Sequence, residues 1–249
     1  MPFTVSHVAF VVPLRDRLRL PLCGLAVGAM APDLEYVVYG RPHRTISHSV
    51  HGIVTLDLAL ALALLVGATL AAPGLGSLIP LRHTELRQRV ARWRAPLWPL
   101  PALAKLVAAI IVGAASHVLI DGFTHAGSFP ASHLPFLTSE TPIRGWTGAR
   151  LLQYGLSLVG VLVVARALWR WLDDVGVRDT ATTWSRTQVR VTIAATISAA
   201  LLVLHDHVTR LGIGPLRDNL VLSLLMTART TLVIALVAGL ALHPRLRGP

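Results

Sequence analysis

Five apolar runs constrain this chain more than any other feature: residues 50–72, 103–124, 151–171, 189–205 and 219–242. Each approaches the ~20 residues an α-helix needs to cross a hydrocarbon core about 30 Å thick. The composition agrees, with 53% hydrophobic and 14% charged residues and a mean hydropathy of +0.62. A soluble domain carries about a quarter charged residues. The expected fold is therefore all-α, an integral membrane bundle of about five spanning helices. Pro73 and Gly74 are expected to stop the first span, since proline neither donates to nor fits within a helix interior. Two N-terminal runs, residues 3–14 and 20–31, hold about a dozen residues each. At ~18 Å as helix they fall short of a full crossing. They are read as short helices, the second ending at Pro32-Asp33; one continuous span over 20–38 is the alternative.

The formal net charge is +11, with a single lysine, Lys105, and no Lys-rich patch, RNA-binding signature or zinc-finger pattern. Nucleic acid is not an expected partner, and the arginines are read as reporters of topology. Placing the 73–102 loop in the cytoplasm and alternating thereafter puts 16 of the 23 basic residues on that side, as the positive-inside bias requires. One cysteine, Cys23, excludes an intramolecular disulfide and a Cys-rich zinc site. The N-terminal stretch Met-Pro-Phe-Thr-Val-Ser-His7 lacks the basic and apolar regions of a signal peptide, so the spans are expected to direct their own insertion. With no internal repeat or long linker, residues 1–249 read as one polytopic membrane domain. Residues 1–138 carry the polar motifs and 139–249 supply accessory transmembrane helices.

Within the second span the apolar pattern breaks at Gly113-Ala-Ala-Ser-His117-Val-Leu-Ile-Asp121-Gly-Phe-Thr-His125. A spacing of four places His117, Asp121 and His125 along one side of a helix. Two imidazoles and a carboxylate are the donor types that zinc and similar divalent ions select. A second cluster runs from Asp33 and Glu35 to His48 and His51 at the mouth of the first span. The two spans run antiparallel, so His48, Asp121 and His125 come to the same, non-cytoplasmic face. Asp33 and His7 join them if the N-terminal hairpin points that way. Ionisable groups at apolar helix ends are costly unless paired or coordinated. His7, Asp33, His48, His117, Asp121 and His125 are thus the candidate ligands of a divalent metal, zinc foremost. That is more than one tetrahedral ion requires, so some orient ligands or two metals bind. A hydrogen-bonded polar network without metal is the other reading.

Glu35 is the candidate general base for a metal-bound water, against the plainer reading of a solvated loop charge. His43 and His133 read as exposed loop residues. His205-Asp206-His207 reads as a helix cap, and Ser47 and Ser116 lack the context of a nucleophile elbow. Asp57 and Arg229 lie at matched depths within their spans, which suggests an intramembrane ion pair that associates helices.

Several stretches together resemble a bacterial membrane family, the domain-of-unknown-function family 4184. They are Met-Pro-Phe-Thr-x-Ser-His7, Ala-Pro-Asp33, Ser-His48-Ser, Gly113-x-x-Ser-His117-x-x-x-Asp121-x-x-Thr-His125 and His133-Leu-Pro-Phe. More distantly, their order is similar to membrane-bound metal-dependent hydrolases linked with zinc-dependent phospholipase C-like proteins. The resemblance implies metal ligation at these positions, a bacterial cell-membrane location and a membrane lipid or lipid-linked substrate. Two other functions stay open: a non-catalytic metal-binding or transport protein, and a structural membrane protein whose polar network locks helix ends.

Overall fold

A computed structural model describes residues 4–39, 46–81, 83–143 and 146–175. Among them the chain is helical, without a strand beyond an isolated bridge between Glu140 and Thr147. A 3-10 turn at Thr4–His7 leads into α1 (Val8–Val11), α2 (Leu14–Leu18) and α3 (Leu22–Tyr39). Then come α4 (Val50–Val54), α5 (Leu56–Leu78) and α6 (Thr84–Arg92). The long α7 (Leu100–Thr124) is followed by a 3-10 turn at Ala131–His133, α8 (Pro135–Thr138) and α9 (Gly148–Asp174).

Three helical stretches are long and apolar enough to cross a membrane: α4 with α5 (Val50–Leu78), α7 (Leu100–Thr124) and α9 (Gly148–Asp174). They coincide with the first three expected spans. The fourth and fifth expected spans lie outside the described residues, as do Arg229 of the expected ion pair, His43 and the 205–207 cluster. Asp57 is fully buried.

Two expected helix ends do not occur. Pro73 lies inside α5, which runs on to Leu78, and Pro32 lies inside α3, which runs on to Tyr39. The second N-terminal element is therefore one 18-residue helix, about 27 Å long. A proline deletes one helical hydrogen bond and crowds the preceding turn, but long apolar helices tolerate it where neighbouring groups re-satisfy the freed backbone. The turn before α3 has its own break. Arg19 ends α2 in the left-handed region, at φ 52°.

The chain divides into two compact units. The first comprises residues 1–34, 44–63 and 96–170, and all six candidate ligands belong to it. Its core is the crossing of α3 on α7, where Leu25, Ala29 and Ala109 pack with Val11 of α1. Glycine sets the closeness of that crossing. A Cβ on Gly28 would stand 2.3 Å from the Ile110 carbonyl oxygen, and one on Gly113 2.4 Å from that of Leu25. Small residues at a helix interface let backbones approach in this way. A second apolar cluster, Ala131, Leu137 and Ala149 with Phe123, closes the loop after α7. The other unit comprises residues 35–43, 64–95 and 171–249. Within it the Ala95 backbone N–H donates to Thr69 Oγ1, at 3.0 Å.

Candidate metal centre

Beyond the glycine crossing, one further turn of each helix brings polar groups together. On α7 the step from Gly113 leads to His117 and Asp121; on α3 the step from Gly28 leads past Ala29 to Asp33. His117 Nδ1 donates to the Ala29 carbonyl, at 2.8 Å. That bond fixes the tautomer and leaves Nε2 as a lone-pair donor, the arrangement that metal-binding histidines adopt. His48 arrives from the chain between the two helices. Ser49 is the N-cap of α4, accepting from the Gly52 N–H at 3.0 Å, and capping of this kind sets where the helix begins. His48 thereby stays outside the helix, with its Nδ1 2.9 Å from Ser47 Oγ and Nε2 turned inward. His7 ends the N-terminal 3-10 turn and stacks on the His117 ring, with centroids 3.8 Å apart.

Four donor atoms close a ring. His48 Nε2 is 3.4 Å from Asp121 Oδ2, which is 3.7 Å from His117 Nε2. His117 Nε2 is 3.7 Å from Asp33 Oδ1, which is 3.8 Å from His48 Nε2. A tetrahedron with zinc–ligand bonds of ~2.0–2.2 Å has edges of about 3.3–3.6 Å. The four edges of the ring are thus each within a few tenths of an ångström of tetrahedral edges. The other Asp121 oxygen, Oδ1, lies 3.6 Å from His7 Nε2. Two overlapping donor groups result, His7/His117/Asp121 and Asp33/His48/His117, each able to hold a metal ion.

Burial makes this convergence expensive without a cation. His7 and His117 are fully buried, Asp121 is 2% and Asp33 3% exposed. Neither His7 Nε2, His117 Nε2 nor Asp33 Oδ1 makes a hydrogen bond. A buried polar atom left so costs about 1–3 kcal/mol, and a divalent ion at the ring centre satisfies several at once. Asp33 Oδ2 is occupied, accepting from Thr4 Oγ1 at 2.6 Å, which aims Oδ1 at the two histidines. Burial, reinforced by the neighbouring His117, lowers the His7 pKa to about 3, so its imidazole is neutral and able to ligate at physiological pH.

The remaining expected residues stand apart. α7 ends at Thr124, and His125 leaves the helix in extended conformation. Its Nδ1 lies 3.0 Å from the Asp121 carbonyl and 3.8 Å from Asp121 Oδ2. It is a C-terminal cap at the rim, outside both donor groups. His51 is exposed on α4 and His133 exposed beside Phe129. Glu35 is buried rather than a solvated loop charge. It sits two residues beyond Asp33 on α3, and a step of two turns a side chain ~200° around the helix. Three supporting groups escaped sequence reasoning. Thr4 had a signal in its place within the N-terminal motif, and Ser47 in its adjacency to His48. The Ala29 carbonyl is backbone and had none.

No curated protein and no solved structure matches the chain. A family model described as Domain of unknown function (DUF4184) matches residues 1–242. With nearly the whole chain covered, including every residue of the donor ring, the chain belongs to the DUF4184 family.

Proposed function

We propose that this is a multi-pass membrane protein of the bacterial cell membrane. Its His48–His117–Asp33–Asp121 ring binds a divalent cation, zinc foremost, and the centre hydrolyses a phosphoester or lipid-linked substrate. The observation that carries the metal reading is the closed ring of buried donors with edges of 3.4–3.8 Å. Its mixed His/Asp composition suits zinc and excludes a thiolate site. His7 extends the shell through the second Asp121 oxygen, so that a second ion or a fifth ligand is accommodated there. A bound divalent ion lowers the pKa of water and polarises a phosphoryl or acyl oxygen. Three membrane-length helices bring a lipid-borne substrate within reach. Hydrolysis itself rests on the resemblance described above. Glu35 is not carried forward as the base, because its helical position turns it from the Asp33 side; the role falls to a carboxylate of the shell.

A second reading has one observation in its favour. The ring offers four protein donors, the number found in structural zinc sites, whereas catalytic sites use three and keep one position open. The ion would then staple α3, α7 and the His48 loop without turnover. Elemental analysis of protein purified in detergent tests the metal, with at least one equivalent expected and none in His117→Ala/Asp121→Ala. Hydrolysis of a phosphodiester or phospholipid that is abolished by chelation and restored by zinc supports the enzyme. Stoichiometric metal without turnover selects the staple, and absence of metal removes both.

A further inference from the structure

We propose a second binding site, for the headgroup phosphate of an anionic phospholipid, at the end of the α3/α7 pair remote from the donor ring. A cavity of about 500 Å³ opens between the α2–α3 turn and the start of α7. Three cations line it, Arg15, Arg19 and Lys105, with Asp16 as the one carboxylate. Asp16 is engaged only weakly, 3.8 Å from Arg15 Nε in an exposed pair. Arg19 and Lys105 have no carboxylate partner among the described residues. The cavity therefore presents a net positive charge to whatever enters.

Its other walls are apolar, among them Leu20, Pro96 and Ala102. Leu18, Trp98 and Leu100 nearby are exposed, Trp98 at 84%. Cations over apolar walls, at the first turns of a helix long enough to cross a membrane, match an amphiphile with a phosphate head and acyl chains. Basic pockets between transmembrane helices bind anionic headgroups on this principle, and exposed tryptophan marks the interfacial level. The turn itself supports a role for the charge. Arg19 holds φ 52°, a conformation glycine takes with less strain, yet the position carries an arginine that lines the cavity.

The site is separate from the metal centre. Lys105 precedes His117 by twelve residues, and Leu22 precedes Asp33 by eleven, about 17–18 Å along each helix. The proposal rests on the membrane reading of α7 and is independent of metal or hydrolysis.

Native mass spectrometry of detergent-purified protein, titrated with phosphatidylglycerol or phosphatidylcholine, is the test. Selective retention of phosphatidylglycerol is expected, with a loss of about fivefold per cation removed. In Arg15→Gln/Arg19→Gln/Lys105→Gln the preference should vanish. In Arg87→Gln/Arg89→Gln/Arg92→Gln on α6, of equal charge loss, it should persist. An unchanged far-UV circular-dichroism spectrum and an unchanged elution profile in detergent verify the fold of the first variant. Should that variant fail to fold, preference for phosphatidylglycerol in the unmodified protein and in the α6 variant carries the test. Equal retention of both lipids by the unmodified protein, or an undiminished preference in the folded cavity variant, overturns the site. Complete displacement of lipid by millimolar inorganic phosphate overturns the lipid assignment in favour of a soluble phosphate ligand. A protein that stays dispersed without detergent refutes the membrane reading instead.

Discussion

The imidazole Nδ1 of His117 lies 2.8 Å from the backbone carbonyl of Ala29, a contact spanning 88 residues of sequence. One bond couples the helix crossing to the chemistry. It requires α3 and α7 to approach closely, and it commits His117 Nε2 to the donor ring. Removing the ring at this point should therefore be felt as lost metal first. His117→Ala is expected to release the ion and to abolish the rise in Tm that zinc gives the unmodified protein. A tightly bound ion at a hundredfold excess over Kd stabilises by about 2.7 kcal/mol. Thermal unfolding in detergent with and without zinc checks this, and an equal zinc response in the variant contradicts it.

The closeness of the crossing is itself testable. Gly113→Ala places a Cβ 2.4 Å from the Leu25 carbonyl oxygen, which forces the helices apart. A loss of about 1–3 kcal/mol is expected, as for other overpacked sites, together with weakened metal binding. Gly127→Ala, where a Cβ meets nothing within 4 Å, should leave both unchanged. Equal effects of the two substitutions would refute a crossing set by glycine.

Thr4 aims Asp33 from outside the donor ring. Thr4→Val removes the hydroxyl that donates to Asp33 Oδ2 at 2.6 Å while keeping the side-chain shape. Metal affinity should fall about 10–100-fold, the usual effect of losing a group that orients a ligand. Thr4→Ser should retain affinity. Competition against a zinc-sensitive dye measures both, and the prediction fails if Val and Ser behave alike.

Acid should destabilise the metal-free protein through His7. Its folded pKa is lowered to about 3 from an ordinary 6.5, chiefly by burial and then by His117. Between these values the unfolded state binds the proton and the folded state does not, so stability rises with pH across the window. The His7 contribution is whole above pH 6.5 and is lost progressively as pH falls to about 3. His7→Asn should flatten this part of the profile in chelator-treated protein. An unchanged slope would show that His7 is accessible to protons in the folded state.

Sidedness follows from the arginines. Single cysteines at Gln88 and Ser128, introduced in a Cys23→Ser background, should label from opposite sides of the membrane, Gln88 from the cytoplasm. Labelling of both from one side would overturn the orientation and leave the donor ring intact.

The three membrane-length helices and the His117–Asp121 pair were legible from the sequence because each depends on neighbours within one helix. Apolar length decides a span, and a spacing of four decides which side chains share a face. Even there, local rules did not hold throughout. α3 passes through Pro32 and α5 through Pro73, and His125 leaves α7 to cap it instead of continuing the row. What brings Asp33, His48 and His7 to His117 is not local at all. It is the register of α3 on α7, set by Gly28 against Ile110 and Gly113 against Leu25, with the Ser49 cap holding His48 outside α4. Charge bias speaks only to which end of a span faces the cytoplasm. Only interhelical contact, where missing side chains let two backbones meet, decides which donor atoms stand 3.4–3.8 Å apart.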